Sequence, residues 1–133
     1  MHIKQVKLEN PGRLAELRPE KTLKEIGFRA GQILCDIGAG SGIFTVPAAQ
    51  ISRKTIYALD INREMLQIIA QKAQDLELPN IKPILVSGRL LPLLDNAADM
   101  ALMVTVLHEI ADKPAFIEET ARILKNGGTI VVI

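Results

Sequence analysis

Leu34-Cys35-Asp36-Ile37-Gly38-Ala39-Gly40-Ser41-Gly42 is the stretch that decides the fold. It begins as an apolar run, and three glycines at alternate positions follow the acidic residue. We predict a buried strand, a glycine-rich turn, and then a helix that begins at about Ser41. Glycine tolerates positive φ and leaves room beside the backbone, while a helix amino terminus offers free N–H groups to an anion. The stretch therefore predicts a loop that holds a small molecule.

The spacing of the glycines indicates which class of molecule the loop holds. The dinucleotide fingerprint needs a third glycine three residues after Gly40, with two residues between them, and Ile43 occupies that position. Residues 36–42 instead closely resemble the first motif of the class I S-adenosylmethionine-dependent methyltransferases. In that family the loop wraps the methionine end of the cofactor, and the acidic residue lies near the ammonium group. The resemblance implies cofactor contacts by Asp36, Gly38, Ala39, Gly40, Ser41 and Gly42. A tight turn without a ligand is the competing interpretation.

A second acidic residue, Asp60, ends the next predicted strand. A carboxylate at that position can accept both ribose hydroxyls of an adenosine. Asp60-Ile61-Asn62 resembles the second motif of the same family, which adds Asp60 and Ile61 to the predicted cofactor site. The competing interpretation is helix capping, which accounts for Asn62 better than for Asp60.

The loop after the third predicted strand departs from the family pattern. Many members carry an acidic residue there that binds the adenine amino group, whereas this chain has Val86-Ser87-Gly88-Arg89. The resemblance still implies a cofactor contact by Ser87, Gly88 and Arg89. Adenine recognition would then fall to Ser87, to backbone N–H groups around Leu90, and to apolar packing.

The segment from Val104 to Ile110 follows the fourth predicted strand. It resembles the segment by which small-molecule members, such as the quinone-biosynthesis and arsenite methyltransferases, line the space beside the transferable methyl group. The resemblance implies a cofactor contact by Thr105. His108 is a candidate general base or substrate-orienting group, supported by Glu109. The alternative is that His108 caps the following helix or packs against the cofactor.

Methyl transfer needs little help from side chains. The sulfonium is already a good leaving group, so the protein mainly aligns the nucleophile, the methyl carbon and the sulfur. The absence of a catalytic triad or a metal cluster from the sequence is therefore no argument against this function. No metal site is predicted, and the sequence does not identify the acceptor.

The rest of the chain alternates strand and helix patterns, which predicts an α/β fold with a doubly wound, Rossmann-like parallel sheet. The methyltransferase strand order is 3-2-1-4-5. Pro83 lies inside the third strand, and proline is confined to sheet edges, so that strand belongs at an edge. The later predicted strands are 54–60, 81–86, 99–106 and 129–133, and the predicted helices are 41–52, 63–76 and 113–125. Asn62 caps the second of these helices and Asp112 caps the third. The second helix has an apolar stripe of Met65, Ile68, Ile69, Ala73 and Leu76.

We predict a single domain over residues 1–133, with a helical lead segment over residues 1–30. Within the lead, residues 1–7 form a short strand or a disordered lead, Asn10-Pro11-Gly12 a turn, and residues 13–17 one helical turn. A helix over 19–26 either lies over the site or only packs on the sheet.

The usual final hairpin of the family is absent, so the chain is either a minimal core or lacks a carboxy-terminal portion. The fifth strand would then be an exposed edge that favours pairing with another copy of the chain.

The composition limits which classes of partner and which cellular compartment we expect for this protein. The chain has 133 residues, a net charge of +1, one Tyr and three Phe, with no basic block, which argues against a nucleic-acid partner. A single cysteine excludes an internal disulfide, and Cys35 is predicted to be a buried thiol. No apolar run approaches the roughly 18 residues of a membrane span, and no signal-peptide pattern is found. We expect a cytoplasmic protein.

These observations favour an S-adenosylmethionine-dependent methyltransferase that acts on a small molecule. The alternative is a non-catalytic S-adenosylmethionine-binding domain or a subunit of a larger assembly. A nucleotide-dependent oxidoreductase is disfavoured by Ile43.

Overall fold

The computed structural model describes residues 2–6 and 18–133. Within these residues, strands and helices alternate along most of the chain, as predicted. The strands are β1 (His2–Gln5), β2 (Leu34–Ile37), β3 (Ile56–Asp60), β4 (Ile81–Leu85), β5 (Ala98–Met103) and β6 (Leu124–Val132). The helices are α1 (Pro19–Glu25), α2 (Thr45–Ser52), α3 (Arg63–Asp75) and α4 (Lys113–Ile123), with a 3-10 helix at Leu107–Glu109.

The strands form one sheet in the order β1-β6-β5-β2-β3-β4, and all neighbouring pairs are parallel. The five strands predicted from the sequence are β2 to β6, and their relative order is 3-2-1-4-5. As a description of the whole sheet that order is incomplete, because β1 adds a sixth strand beside β6.

The prediction of an exposed edge at the fifth strand is wrong. β1 covers that edge in register from His2 opposite Thr129 to Gln5 opposite Val132. The lead segment is therefore not helical throughout. Of the two alternatives for residues 1–7, the short strand is confirmed over His2–Gln5. Pairing with another copy of the chain through a free β6 edge loses its basis. The predicted turn at residues 10–12 and the helical turn at 13–17 lie outside the described residues.

The opposite edge of the sheet agrees with the prediction from proline. Among the described strands, β4 has a neighbour on one side only, and Pro83 lies opposite Ala58 of β3. A proline in a parallel strand costs least where the missing N–H would have no partner strand.

Helices cover both faces of the sheet, because side chains of the central strands alternate between two apolar clusters. Leu34 and Leu102 face α1, α2 and α3, whereas Cys35 and Met103 face α4. Burial raises the pKa of the Cys35 thiol, which agrees with a buried and inert role. The fold is thus a doubly wound α/β sheet.

Several element boundaries differ from the predicted ones. α2 begins at Thr45 rather than Ser41, because Gly42 has a φ of +90°, outside the helical region. β5 ends at Met103, because Thr105 has a φ of +55°. β6 begins at Leu124, directly after α4, and not at residue 129.

α3 has the predicted cap but not the whole predicted stripe. The Asn62 side chain accepts hydrogen bonds from the N–H groups of Glu64 and Met65. Ile69 is fully buried, whereas Ile68 and Leu76 are exposed. The apolar face of this helix is therefore narrower than predicted.

Asp99 lies at the entry end of β5 and has a structural role there. Its Oδ2 accepts the N–H of Ile33 at 2.7 Å, which joins β5 to the start of β2.

No helix in the described part of the chain has both the length and the apolar character needed to cross a membrane. The cytoplasmic location stays a prediction.

Candidate cofactor-binding site

The carboxyl ends of four neighbouring strands form one rim of the sheet. In a parallel sheet these ends lie together, and ligands bind where the chain leaves a central strand in opposite directions. β2 is that strand, since β3 lies on one side of it and β5 on the other. The predicted site residues after β2, β3, β4 and β5 therefore share this rim. The candidate site is built from these four strand ends.

The three glycines of the loop after β2 serve different purposes. All three have positive φ, at +70°, +58° and +90° for Gly38, Gly40 and Gly42. A Cβ on Gly38 would lie 2.4 Å from Val106 Cγ2, and one on Gly42 would lie 3.1 Å from Ile69 Cγ1. A Cβ on Gly40 would meet no described atom within 4 Å. Gly38 and Gly42 allow close packing, and Gly40 leaves open space for a ligand.

The backbone N–H groups of this loop are mostly occupied within the protein. Gly38 and Ala39 both donate to the carbonyl of Leu59, at 2.8 and 2.9 Å, and Gly42 donates to Ala39 at 3.1 Å. The prediction of free loop N–H groups at a helix start is wrong for these residues, because α2 begins only at Thr45. Within the described residues, the N–H of Ser41 has no acceptor.

Asp60 joins the loop to the end of β3. Its Oδ2 accepts the N–H of Gly40 at 2.8 Å, and its Oδ1 accepts the N–H of Asn62 at 2.9 Å. Each carboxylate oxygen has a second lone pair, so Asp60 keeps the capacity to accept ligand hydroxyls. Ile61 beside it is 80% exposed. Asn62, and not Asp60, accepts the N–H groups of the first turn of α3.

Asp36 lies beneath the loop rather than on its surface. It is 2% exposed, and its Oδ2 accepts the hydroxyl of Thr45 at 2.7 Å. Burial raises the pKa of Asp36 to about 6, opposed by the Thr45 hydrogen bond and reinforced by the charge of Asp60. Asp36 therefore acts on the loop through Thr45 and through its charge, without an exposed carboxylate.

The loop after β4 exposes the residues predicted to recognise adenine. Ser87, Gly88 and Arg89 are exposed, and their N–H groups find no acceptor in residues 2–6 and 18–133. Val86 donates to the carbonyl of Asp60 at 2.9 Å, which ties the start of this loop to the end of β3. The loop is therefore anchored beside Asp60.

Thr105 has a strained backbone at the end of β5. A β-branched residue rarely adopts positive φ, and such outliers concentrate at functional sites. Its N–H donates to Ile133 at 2.8 Å, and its hydroxyl donates to the Val104 carbonyl at 2.7 Å. The next residue, Val106, lies directly against Gly38. The strained turn thus supports the glycine loop.

His108 lies on the short 3-10 helix that follows. Its side chain is 68% exposed, and its Nε2 is 3.9 Å from Oε1 of Glu109. His108 does not cap α4, because Asp112 does so by accepting the N–H of Ala115 at 3.1 Å. The capping alternative for His108 is therefore wrong, and its imidazole is open to solvent.

The sequence analysis missed several residues that support the rim. Thr45 holds Asp36, and Lys72 Nζ donates to the carbonyl of Ser41 at 2.8 Å. Glu119 and Arg122 of α4 contact the loop after β4. Their three-residue spacing on a predicted helix was the available signal, and it does not reveal the contact with the loop.

A cavity of about 370 Å³ lies at the opposite end of the sheet, beside Gly27, Arg29 and residues 125–129. None of the predicted site residues lines it, so it is separate from the rim.

A parallel doubly wound sheet with an open glycine after a central strand, and an acid at the end of the next strand, defines a Rossmann-like domain that binds an adenosine cofactor. The space beside Gly40 and the acceptor oxygens of Asp60 fit the methionine and ribose parts of S-adenosylmethionine. Comparison with protein families is more specific. Residues 35–132 match the family described as "Methyltransferase domain", and the chain belongs to this family.

Known proteins agree with this membership. The chain is 35% identical to a demethylmenaquinone methyltransferase from Tropheryma whipplei (strain Twist), over 82% of this chain and 44% of the relative. A solved SAM dependent methyltransferase from Aquifex aeolicus is 31% identical with a TM-score of 0.77, over 88% and 63% of the two chains. The solved [4+2]-cyclase SpnF is 27% identical with a TM-score of 0.78, over 92% and 48%. The chain spans about half the length of the curated relatives it matches.

Proposed function

We propose that the protein is an S-adenosylmethionine-dependent methyltransferase that transfers a methyl group to a small-molecule acceptor. The observation that carries this proposal is the open space at Gly40, whose N–H is held at 2.8 Å by the carboxylate of Asp60. This hydrogen bond joins the glycine loop, which would hold the methionine part of the cofactor, to Asp60, which would hold the ribose.

The residues of the rim then have distinct tasks. Gly38 to Gly42 surround the methionine part, and the buried charge of Asp36 favours its ammonium group. Asp60 accepts the ribose hydroxyls, and Ile61 offers an exposed apolar surface beside it. Ser87, Gly88 and Arg89 border the adenine, and Thr105 borders the methyl side. When bound, the cofactor supplies a methyl group whose bond to the sulfonium sulfur breaks readily. These residues therefore need only bind the cofactor and orient its methyl group toward the acceptor.

The acceptor class rests on two observations. Curated relatives are named for demethylmenaquinone and ubiquinone or menaquinone methylation, which favours a small molecule. His108 is exposed just after Thr105, where a base could take a proton from an acceptor before or during attack. We propose His108 as that base, with Glu109 as its partner.

A second candidate function is cofactor binding without methyl transfer by this chain. The resemblance to a protein titled a [4+2]-cyclase favours it, because a fold hosts more than one chemistry. Arg89 also favours it, because it stands where many members of the family carry an acidic residue.

An acceptor screen tests the proposal. The purified protein is incubated with S-adenosylmethionine and a reduced demethylmenaquinone analogue, arsenite, bulk protein or RNA, and S-adenosylhomocysteine is measured. We expect formation of S-adenosylhomocysteine that depends on a small-molecule acceptor and is lost in Gly40→Val. Cofactor binding without turnover on any acceptor supports the second candidate. Turnover on protein or RNA alone contradicts the acceptor class.

A further inference from the structure

The connection from β4 to β5, residues 86–97, contains no helix, and hydrogen bonds from Arg122 of α4 hold it in place. The guanidinium of Arg122 donates to both carboxylate oxygens of Glu119, at 2.7 and 2.9 Å. It also donates to the carbonyls of Leu91 and Leu93, at 2.9 and 3.0 Å, and to Asp95 Oδ1 at 2.8 Å. A guanidinium has five N–H donors, and here all five are used.

Glu119 completes this arrangement, which we call the Arg122–Glu119 latch. Its side chain is 10% exposed, and its Oε2 accepts the N–H of Leu91 at 2.5 Å. The N–H and the carbonyl of Leu91 are therefore both held by the latch, and the Leu91 side chain is buried. The connection is fixed at this residue, and Asp95 adds an exposed contact further along.

The latch determines the freedom of the exposed residues before it. Residues 87–90 lie between Val86, which is tied to Asp60, and Leu91, which is held by α4. Their N–H groups have no acceptor in the described parts of the chain, so they remain able to donate to a ligand. Two fixed ends five residues apart limit the conformations of so short a segment, which lowers the entropy lost on binding.

We propose that Arg122 and Glu119 are positioning residues that hold residues 87–90 in the conformation that recognises the adenine base. They contact the loop and not the cofactor. This inference rests on the proposed function, because it assigns residues 87–90 to the base. A lysine in place of Arg122 keeps the positive charge but lacks the planar fork that reaches five acceptors.

Base discrimination is the readout that a purely structural role would not change. S-adenosylhomocysteine is compared with its inosine analogue, in which the N1 acceptor of adenine becomes an N–H donor and a carbonyl replaces the amino group. Both dissociation constants are measured by calorimetry for the wild type and Arg122→Lys, below the melting temperature of the variant. Arg29→Lys, at the far end of the sheet, and Asp95→Ala, which removes only the exposed contact, are matched controls.

We expect Arg122→Lys to weaken S-adenosylhomocysteine binding by about tenfold, the scale of one or two lost hydrogen bonds, and the inosine analogue by much less. The preference for adenine then falls, and hydrogen exchange at residues 87–91 quickens, while both controls keep the wild-type ratio. Where Arg122→Lys does not fold, Glu119→Gln, which removes the charge from the acceptor of Leu91, carries the same comparison.

An unchanged affinity ratio in a folded latch variant overturns the positioning role and leaves the proposed function intact. A wild type that binds neither ligand overturns the proposed function, and this inference with it.

Discussion

Asp60 shows how one carboxylate organises the candidate site at the scale of a single residue. It accepts N–H groups from Gly40 on one side and Asn62 on the other, so it holds the loop against the start of α3. Its orientation is set before any ligand arrives. A preorganised acceptor of this kind loses little entropy when ribose hydroxyls bind.

Replacing Asp60 therefore tests the ribose site. We expect Asp60→Ala to weaken binding of S-adenosylmethionine and S-adenosylhomocysteine equally, by about 2 kcal/mol, because hydrogen bonds to a charged group are lost. Calorimetric titration measures both affinities. Asp75→Ala, at the far end of α3, is the control and should leave both affinities unchanged. Wild-type affinity in Asp60→Ala would reduce Asp60 to a structural link between the loop and α3.

Gly40 allows a matched comparison with Gly31. Both have positive φ, +58° and +86°, and a Cβ on either would meet no described atom within 4 Å. Valine at either position should therefore cost roughly the same, on the order of 1–2 kcal/mol of backbone strain. Only Gly40→Val should also abolish cofactor binding, since only Gly40 lies at the rim. Denaturant melts give the stabilities and calorimetry the affinities. Equal cofactor affinity in the two variants would remove the loop from the site.

Asp36 predicts a pH dependence of stability with a definite sign. Its pKa is raised by burial from 3.8 to about 6, so the folded state binds more protons than the unfolded state between these values. The contribution of Asp36 to the free energy of unfolding thus rises as the pH falls from 6 to 4. Above pH 6 the ionised group costs about 3 kcal/mol, from a shift of about two units.

Asp36→Asn should remove this cost while still accepting the hydrogen bond of Thr45. We expect the variant to be more stable than the wild type at pH 7.5, by up to about 3 kcal/mol, and closer to it at pH 4. Urea melts from pH 4 to 7.5 measure the difference, with Asp75→Asn as the control. A stability difference that does not change with pH would show that Asp36 has no raised pKa.

At the scale of elements, the turn after β5 presents the residue that we propose as the general base. Thr105 reverses the chain at a strained φ, Val106 packs on Gly38, and the 3-10 helix then exposes His108. Strand, turn and short helix together bring an ionisable group near the loop. Within residues 2–6 and 18–133, the His108 side chain has one ion-pair contact, with Glu109 at 3.9 Å, and it is largely exposed, which leaves it accessible to an acceptor.

This arrangement separates turnover from binding in a His108 variant. We expect His108→Ala to keep cofactor affinity within a few-fold and to lower turnover by ~10²-fold, the low end of general-base contributions. His2→Ala, on the exposed strand β1, is the control. Steady-state rates with the acceptor identified in the screen provide the measurement. Undiminished turnover would exclude the base, although the methyltransferase proposal would stand, because alignment alone can carry the reaction.

The elements also show which parts of the site could be predicted. The glycine loop and Asp60 lie in local motifs, where each residue is near its partners in sequence or follows a strand directly. The contacts of Leu91 with Glu119 and Arg122 join residues 28 and 31 positions apart. Side-chain contacts of that range depend on how α4 packs, which no local pattern contains.

At the scale of the whole molecule, burial explains which strands could be predicted. The central strands are continuous apolar runs because helices cover both faces of the sheet, as the fully buried residues of β2 show. β1 has four exposed residues, His2 to Gln5, and backbone hydrogen bonds to β6 hold it in place. An exposed edge strand leaves only a weak hydrophobic pattern, so residues 1–7 could be predicted only as a strand or a disordered lead, and their pairing with the edge of β6 could not be predicted.

The central claim is that the rim binds S-adenosylmethionine rather than a dinucleotide. Calorimetric titration of the wild-type protein with S-adenosylmethionine, S-adenosylhomocysteine and NAD tests it most directly. We predict one saturable site for the first two ligands and no saturable binding of NAD up to about 1 mM. Preference for NAD, or no binding of either sulfur ligand, would contradict the account.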